Sequence, residues 1–266
     1  MTDVGMPPER VSHRAVLGIS ALLFAASAAV MVVWCASMSS MPGMPMPGGW
    51  TMSMAWMRMP GQTWMGAAAS FTGMWVVMMV AMMLPSLVPM LGRYREAVDP
   101  TGSPPLGRLT VRVGLGYFVV WSLLGAAVFP VGVAVATVEM ERAMVARAVP
   151  LASGAVVLMA GALQLTAWKA RQLACCRDLP RRGLAADAGT AWRHGLRLGV
   201  RCSACCAGPT AVLLVVGVMD LRAMVTAAAA ITAERLAPAG ERVARAIGAL
   251  TVGAGVLLVV RAAGLG

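Results

Sequence analysis

The sequence predicts an all-α fold, a polytopic bundle of about seven transmembrane helices (six to eight), and three observations carry this reading. Hydrophobic residues make up 59% of the 266 positions and charged residues 12%, with a mean hydropathy of +0.76; soluble domains run near a quarter charged. Apolar runs of about 20 residues, long enough to cross ~30 Å of hydrocarbon, recur along the chain. Basic residues sit in the short loops between those runs, where they report topology.

Taken in order, a tail of residues 1–14 precedes one transmembrane domain, residues 15–266. Span 1 covers Ala15–Cys35. It is longer than a signal-peptide core and lacks a small-x-small cleavage site, so it is expected to remain. A Met/Pro/Gly-rich loop follows at 36–64. Span 2 is Met65–Leu91, span 3 Leu109–Thr137, span 4 Ala148–Trp168 and span 5 Leu198–Met219. Span 6, Leu221–Ala233, is short and Ala-rich, and is a full span, a half-span or a re-entrant segment. Span 7 is Ala246–Ala263. With the N-terminus inside, 17 of the 22 Lys and Arg fall on the inner side and 5 on the outer side. The positive-inside rule then expects a bacterial inner-membrane protein with a cytoplasmic N-terminus and the Met-rich loop outside. No period of 20–50 residues indicates an inverted-repeat transporter.

The +11 charge is spread over loops, and two Tyr and four Phe are too few to stack bases, so nucleic-acid binding is excluded. The expected surroundings are the lipid bilayer, a metal ion, and a periplasmic or membrane protein partner. No nucleophile–base triad, phosphate loop or paired catalytic carboxylate is present, which argues against an enzyme. The six cysteines include the neighbours Cys175–Cys176 and Cys205–Cys206, a pattern unlike a disulfide framework.

Sulfur carries the chemistry. Most of the 23 methionines fall between Met38 and Met90. Thioether is a soft, neutral ligand that selects copper(I), and it outlasts thiol in an oxidising compartment. Met38, Met41, Met44 and Met46 offer several donors on a Pro/Gly backbone expected to be flexible; the alternative is a loop whose methionines merely touch the membrane surface. In span 2, Met78 stacks over Met82 and Met79 over Met83 at i, i+4. Such stripes serve packing as readily as ligation.

Span 5 holds the sharpest pattern, Cys202-Ser-Ala-Cys205-Cys206. Positions i, i+3 and i+4 share a helix face, so three sulfurs can approach one ion, copper(I) first, with zinc or another soft metal as alternatives. Arg197 and Arg201 favour thiolate there. Met82–Met83 lie roughly 12 Å from the inner end of span 2, and Cys202–Cys206 roughly 6–12 Å from that of span 5. A shared Cys/Met site is therefore allowed. Cys175 and Cys176 in the inner loop read as a metal entry or exit point, a redox pair, or incidental cysteines at a basic helix end. Glu234 is expected to pair with Arg235 or an inner-loop arginine, with proton relay as the alternative. His13 and His194 lie outside the spans.

At these residues the chain resembles a bacterial family known as domain of unknown function 2182, predicted metal-binding integral membrane proteins. The resemblance runs from span 2 onward. It rests on Trp75-x-x-Met-Met-x-Ala-Met-Met-x-Pro85, on Gln164-x-Thr166-x-x-Lys169 leading to Cys176-Arg177, and on Cys202-x-x-Cys205-Cys206 with Gly217-Val-Met219 and Glu234-Arg235. Gln172 stands where the family pattern has a cysteine, and Ala167, Ala204 and Ala207 replace its Pro, Gly and Trp. The resemblance implies a membrane bundle with a soft-metal site. The reading is copper(I) handling or transport; its rivals are a membrane thiol-redox protein and a scaffold or assembly subunit.

Overall fold

The computed structural model describes residues 8–39, 43–98, 105–177 and 184–264. Its helices are α1 (Pro8–Ser39), α2 (Trp64–Ala97), α3 (Leu106–Glu141), α4 (Ala143–Gln164), α5 (Ala167–Arg177), α6 (Ala188–Cys205), α7 (Ala207–Val216), α8 (Leu221–Leu236) and α9 (Gly240–Ala262). Two short strands, β1 (Met44–Met46) and β2 (Trp50–Met52), pair antiparallel between α1 and α2.

Side-chain caps set several helix starts. Thr63 accepts the Gly66 N–H at 3.1 Å before α2, and Asp187 accepts the Thr190 N–H at 2.9 Å before α6. Asp220 takes two first-turn N–H groups of α8, those of Arg222 and Ala223. Each cap satisfies donors that the first helical turn leaves open. The hydrogen bonds from Thr190 also hold the Asp187 carboxyl below the usual carboxylate range.

Among the described residues, five helices are long and apolar enough to cross a membrane: Arg14–Met38 of α1, and α2, α3, α4 and α9. A sixth crossing results if α6 and α7 count as one broken span, bent by 61°. The expected count of about seven (six to eight) is not confirmed by length and composition, and its lower bound of six is reached only with the broken pair. The missing member is α8, whose 16 residues rise roughly 24 Å at 1.5 Å each, short of ~30 Å.

The bend in α6–α7 corrects the continuous span expected over Leu198–Met219. Pro209 has no N–H for the carbonyl four residues back, that of Cys205, and its ring crowds that carbonyl. The helix breaks there, and the freed Cys205 carbonyl accepts the Lys169 ammonium at 2.7 Å. Span 4 likewise ends at Gln164 rather than Trp168. Thr166 closes a turn and caps a separate helix, α5, by accepting the Lys169 N–H at 3.3 Å.

Glycine permits the two closest helix pairings. Between α3 and α6, a methyl on Gly195 would strike the Val113 backbone, and one on Gly199 the Tyr117 carbonyl. Between α4 and α9, methyls on Gly161 and Gly255 would meet the backbones of Val252 and Leu158. Small residues let spanning helices approach until dispersion contacts are dense.

The Met/Pro/Gly-rich loop contains a β-hairpin where it is described. Its hairpin turns through Gly48 and Gly49, both at positive φ. It buries Met46 and Met52 against Ala136 of α3 and Ala146 of α4, and the Trp50 indole donates to the Ala146 carbonyl at 2.8 Å. Trp56 continues the packing through Phe71, which also meets Phe129. The hairpin therefore sits at the α3–α4 end of the bundle, while Val98 bridges to Leu184 at the opposite end.

Candidate metal centre

The sequence stretches singled out for their chemistry meet in one buried region, built from the last turns of α2, the α4–α5 junction, the C-terminal turn of α6 and the end of α8. Cys202 lies at its middle. Its Sγ is 3.8 Å from that of Cys206 and 3.0 Å from the Tyr117 hydroxyl, all three residues being almost fully buried. Arg235 of α8 donates Nη1 to Cys202 Sγ at 3.0 Å and to Ser86 Oγ at 2.9 Å, and Nη2 to Met90 Sδ at 2.8 Å. A guanidinium that touches both a thiol and a thioether thus joins α2 to the cysteine helix.

Cys205 faces a neighbouring cluster, packed with Cys176, Met90, Leu173 and Ala244. The Cys176 thiol donates to the Arg201 carbonyl at 3.2 Å, and the half-buried Cys175 accepts from Arg201 through its carbonyl at 3.5 Å. The sulfurs therefore form a chain, Cys202 beside Cys206, Cys206 beside Cys205, and Cys205 beside Cys176. All six cysteines are unbridged. Among the described residues, no three His, Cys, Asp or Glu side chains come together closely enough to hold a metal ion.

Beside the sulfurs lies a buried ion pair braced by an amide. Lys169 and Glu234 form an ion pair at 2.7 Å with both side chains 2% exposed, and Gln164 donates to the other carboxylate oxygen at 2.6 Å. This corrects the expected pairing of Glu234 with an arginine. A carboxylate cannot be left alone in an apolar interior, and Lys169 is drawn to the same spot by the Cys205 carbonyl that Pro209 frees. Arg177 is used differently, donating to the Ala237 carbonyl.

The other candidates are dispersed. Met78, Met79, Met82 and Met83 are buried in the same core as Cys202 and Cys206. Met38 lies half-buried in the last turn of α1, Met44 is exposed, Met46 is buried in the hairpin, and Met41 lies outside the described residues. His194 lies in α6 and stacks on Tyr94 of α2 at 5.1 Å.

Sequence reasoning missed Arg235, Ser86, Met90 and Tyr117 as neighbours of the cysteines. The available signal was the Glu234-Arg235 pair. Two adjacent charges ending an Ala-rich helix need two separate partners, because neighbouring residues point to different sides of a helix.

A family model with the description PpoB2, copper chaperone, matches residues 72–258, more than two thirds of the chain. The match contains every residue of the buried region and begins after the methionine hairpin. The metal-related family expected from the motifs is thereby found, under the copper chaperone description and not under the label domain of unknown function 2182. No curated protein and no solved structure matches the chain.

Proposed function

The chain belongs to the PpoB2 copper chaperone family, and from that premise we propose that it is a multi-pass inner-membrane protein that holds copper(I) on buried sulfur and hands it to a protein partner. One observation carries the reading: two unbridged thiols, Cys202 and Cys206, lie 3.8 Å apart beside a helix break, inside the family-matched segment. Soft sulfur in a dry interior selects copper(I) over the hard cations. A structural zinc site asks for four ligands, and among the described residues no three His, Cys, Asp or Glu side chains are grouped so as to hold a metal ion.

Cys205 and Cys176 provide a second pair of sulfurs one step from the first, with Cys175 at its rim. Met78, Met79, Met82 and Met83 provide the soft, adaptable wall of the core and the helix from which a thioether ligand comes. Met38 and the exposed Met44 collect the ion on the side that the 17-to-5 charge bias sets outside, with the N-terminus in the cytoplasm.

The test is copper per protein after purification in detergent under reducing, anaerobic conditions. The wild-type chain is expected to bind copper(I), and the triple variant Cys202→Ser, Cys205→Ser, Cys206→Ser to lose it. Hydroxyl is a hard, poor substitute for thiolate, yet small polar residues are tolerated in spanning helices, so insertion is preserved. A triple variant that keeps its copper places the site elsewhere and overturns the reading. The closeness of Cys202 to Cys206 also suits a dithiol redox role, and wild-type protein that cycles its thiols without binding metal decides for that alternative.

A further inference from the structure

Arg235 is a charged group in unusual company. It is 3% exposed, and among the described residues no carboxylate pairs with it. The adjacent acid, Glu234, is held by Lys169. The guanidinium reaches instead to Cys202 Sγ, Met90 Sδ and Ser86 Oγ, at 3.0, 2.8 and 2.9 Å, and its Nε has no partner. Thiol and thioether are weak acceptors, and a buried charge without a counter-charge or full hydrogen bonding is costly. The same two sulfurs are good donors to a soft monovalent metal ion. The surroundings of Arg235 thus suit copper(I) better than they suit a guanidinium.

We propose that Arg235 is a placeholder cation: Cys202 and Met90, with Cys206 beside them, form the copper(I) site, and the ion enters as the guanidinium withdraws from the two sulfurs. The inference rests on the copper reading above and deepens it by naming the thioether ligand and the group that competes with the metal. In the exchange, two N–H···S hydrogen bonds break and copper–sulfur bonds form. Cys202 gives its thiol proton to solvent as it becomes a thiolate ligand. No electron moves, and copper stays in the +1 state throughout. Because the guanidinium competes for the same donors, it lowers the apparent affinity, and its return to the sulfurs favours release. A carrier that must give up its cargo needs such reversibility.

Competition with a chromophoric copper(I) chelator tests the proposal on the full chain in detergent. Arg235→Gln removes the competing cation and is expected to hold copper(I) about tenfold tighter than wild type. Met90→Leu nearly conserves volume and is expected to hold it about tenfold more weakly, with loss of one sulfur from the copper X-ray absorption spectrum. A merely structural Arg235 predicts the opposite sign, weaker binding on its removal, so equal or weaker binding by folded Arg235→Gln overturns the proposal. If that variant does not fold, Arg235→Lys serves: a single ammonium cannot span both sulfurs, so tighter binding than wild type is expected, and unchanged or weaker binding overturns it. An unchanged affinity and spectrum in Met90→Leu overturns it independently. Wild-type protein that takes up no copper(I) defeats the parent reading; wild-type binding with indifferent variants defeats the placeholder alone.

Discussion

Lys169 is anchored twice, by the Glu234 carboxylate and by the Cys205 carbonyl, each at 2.7 Å and out of reach of water. Removing one partner strands the other charge. Lys169→Met is therefore expected to lower stability by ~3–5 kcal/mol, with the double variant Lys169→Met, Glu234→Met recovering much of the loss. Denaturant unfolding in detergent, followed by circular dichroism, measures both; a double variant no more stable than the single would show that the pair is not the cause. The methionine stripe gives a second test at this scale. Met82 and Met83 are buried in the core, so Met82→Leu and Met83→Leu are expected to cost less than about 1.5 kcal/mol and to leave copper uptake unchanged. Copper loss in either one, with normal insertion, would return that residue to the ligand set.

The elements are positioned by small local rules with distant effects. Pro209 breaks α6 from α7, and the carbonyl it frees draws in Lys169 and fixes α5 against α6. Glycine does the rest, since α3 and α6 touch backbone to backbone at Gly195 and Gly199. That closeness sets Tyr117 of α3 within 3.0 Å of Cys202 of α6. Gly195→Ala adds a methyl where the Val113 carbonyl already sits, and is expected to destabilise by about 1–3 kcal/mol. It also parts Tyr117 from Cys202, so copper retention should fall together with the melting temperature. A variant with unchanged stability would mean that the interface yields without cost.

At the scale of the molecule, the two ends of the bundle differ. The hairpin packs at the α3–α4 end through Trp50 and Ala146, and the Val98–Leu184 bridge marks the other end. Reporter fusions after residues 50 and 185 are accordingly expected to lie in opposite compartments, the first outside and the second inside. Signals from the same side would break the correspondence between the fold and the membrane, and a reversed pair would invert the orientation drawn from charge. The hairpin also changes what is expected of the methionine segment. With Met46 and Met52 already buried against α3 and α4, the donors left accessible are fewer than a flexible loop would offer.

What the sequence determined by itself is what depends on composition and local periodicity. The long apolar helices and the paired sulfurs of Cys202 and Cys206 could be read directly, because span length and i, i+4 spacing are local quantities. The break at Pro209 was also written in the chain, but a strongly apolar stretch masked it. Only tertiary structure decided which groups meet. Cys205 turned toward Cys176, Glu234 toward Lys169, and Arg235 toward Ser86, Met90 and Cys202, partners 29 to 149 positions away along the chain. Composition leaves such choices open, because a buried charge needs some partner and several are available. The approach of α3 to α6 and the bend after Cys205 settle which of them lies within hydrogen-bonding distance.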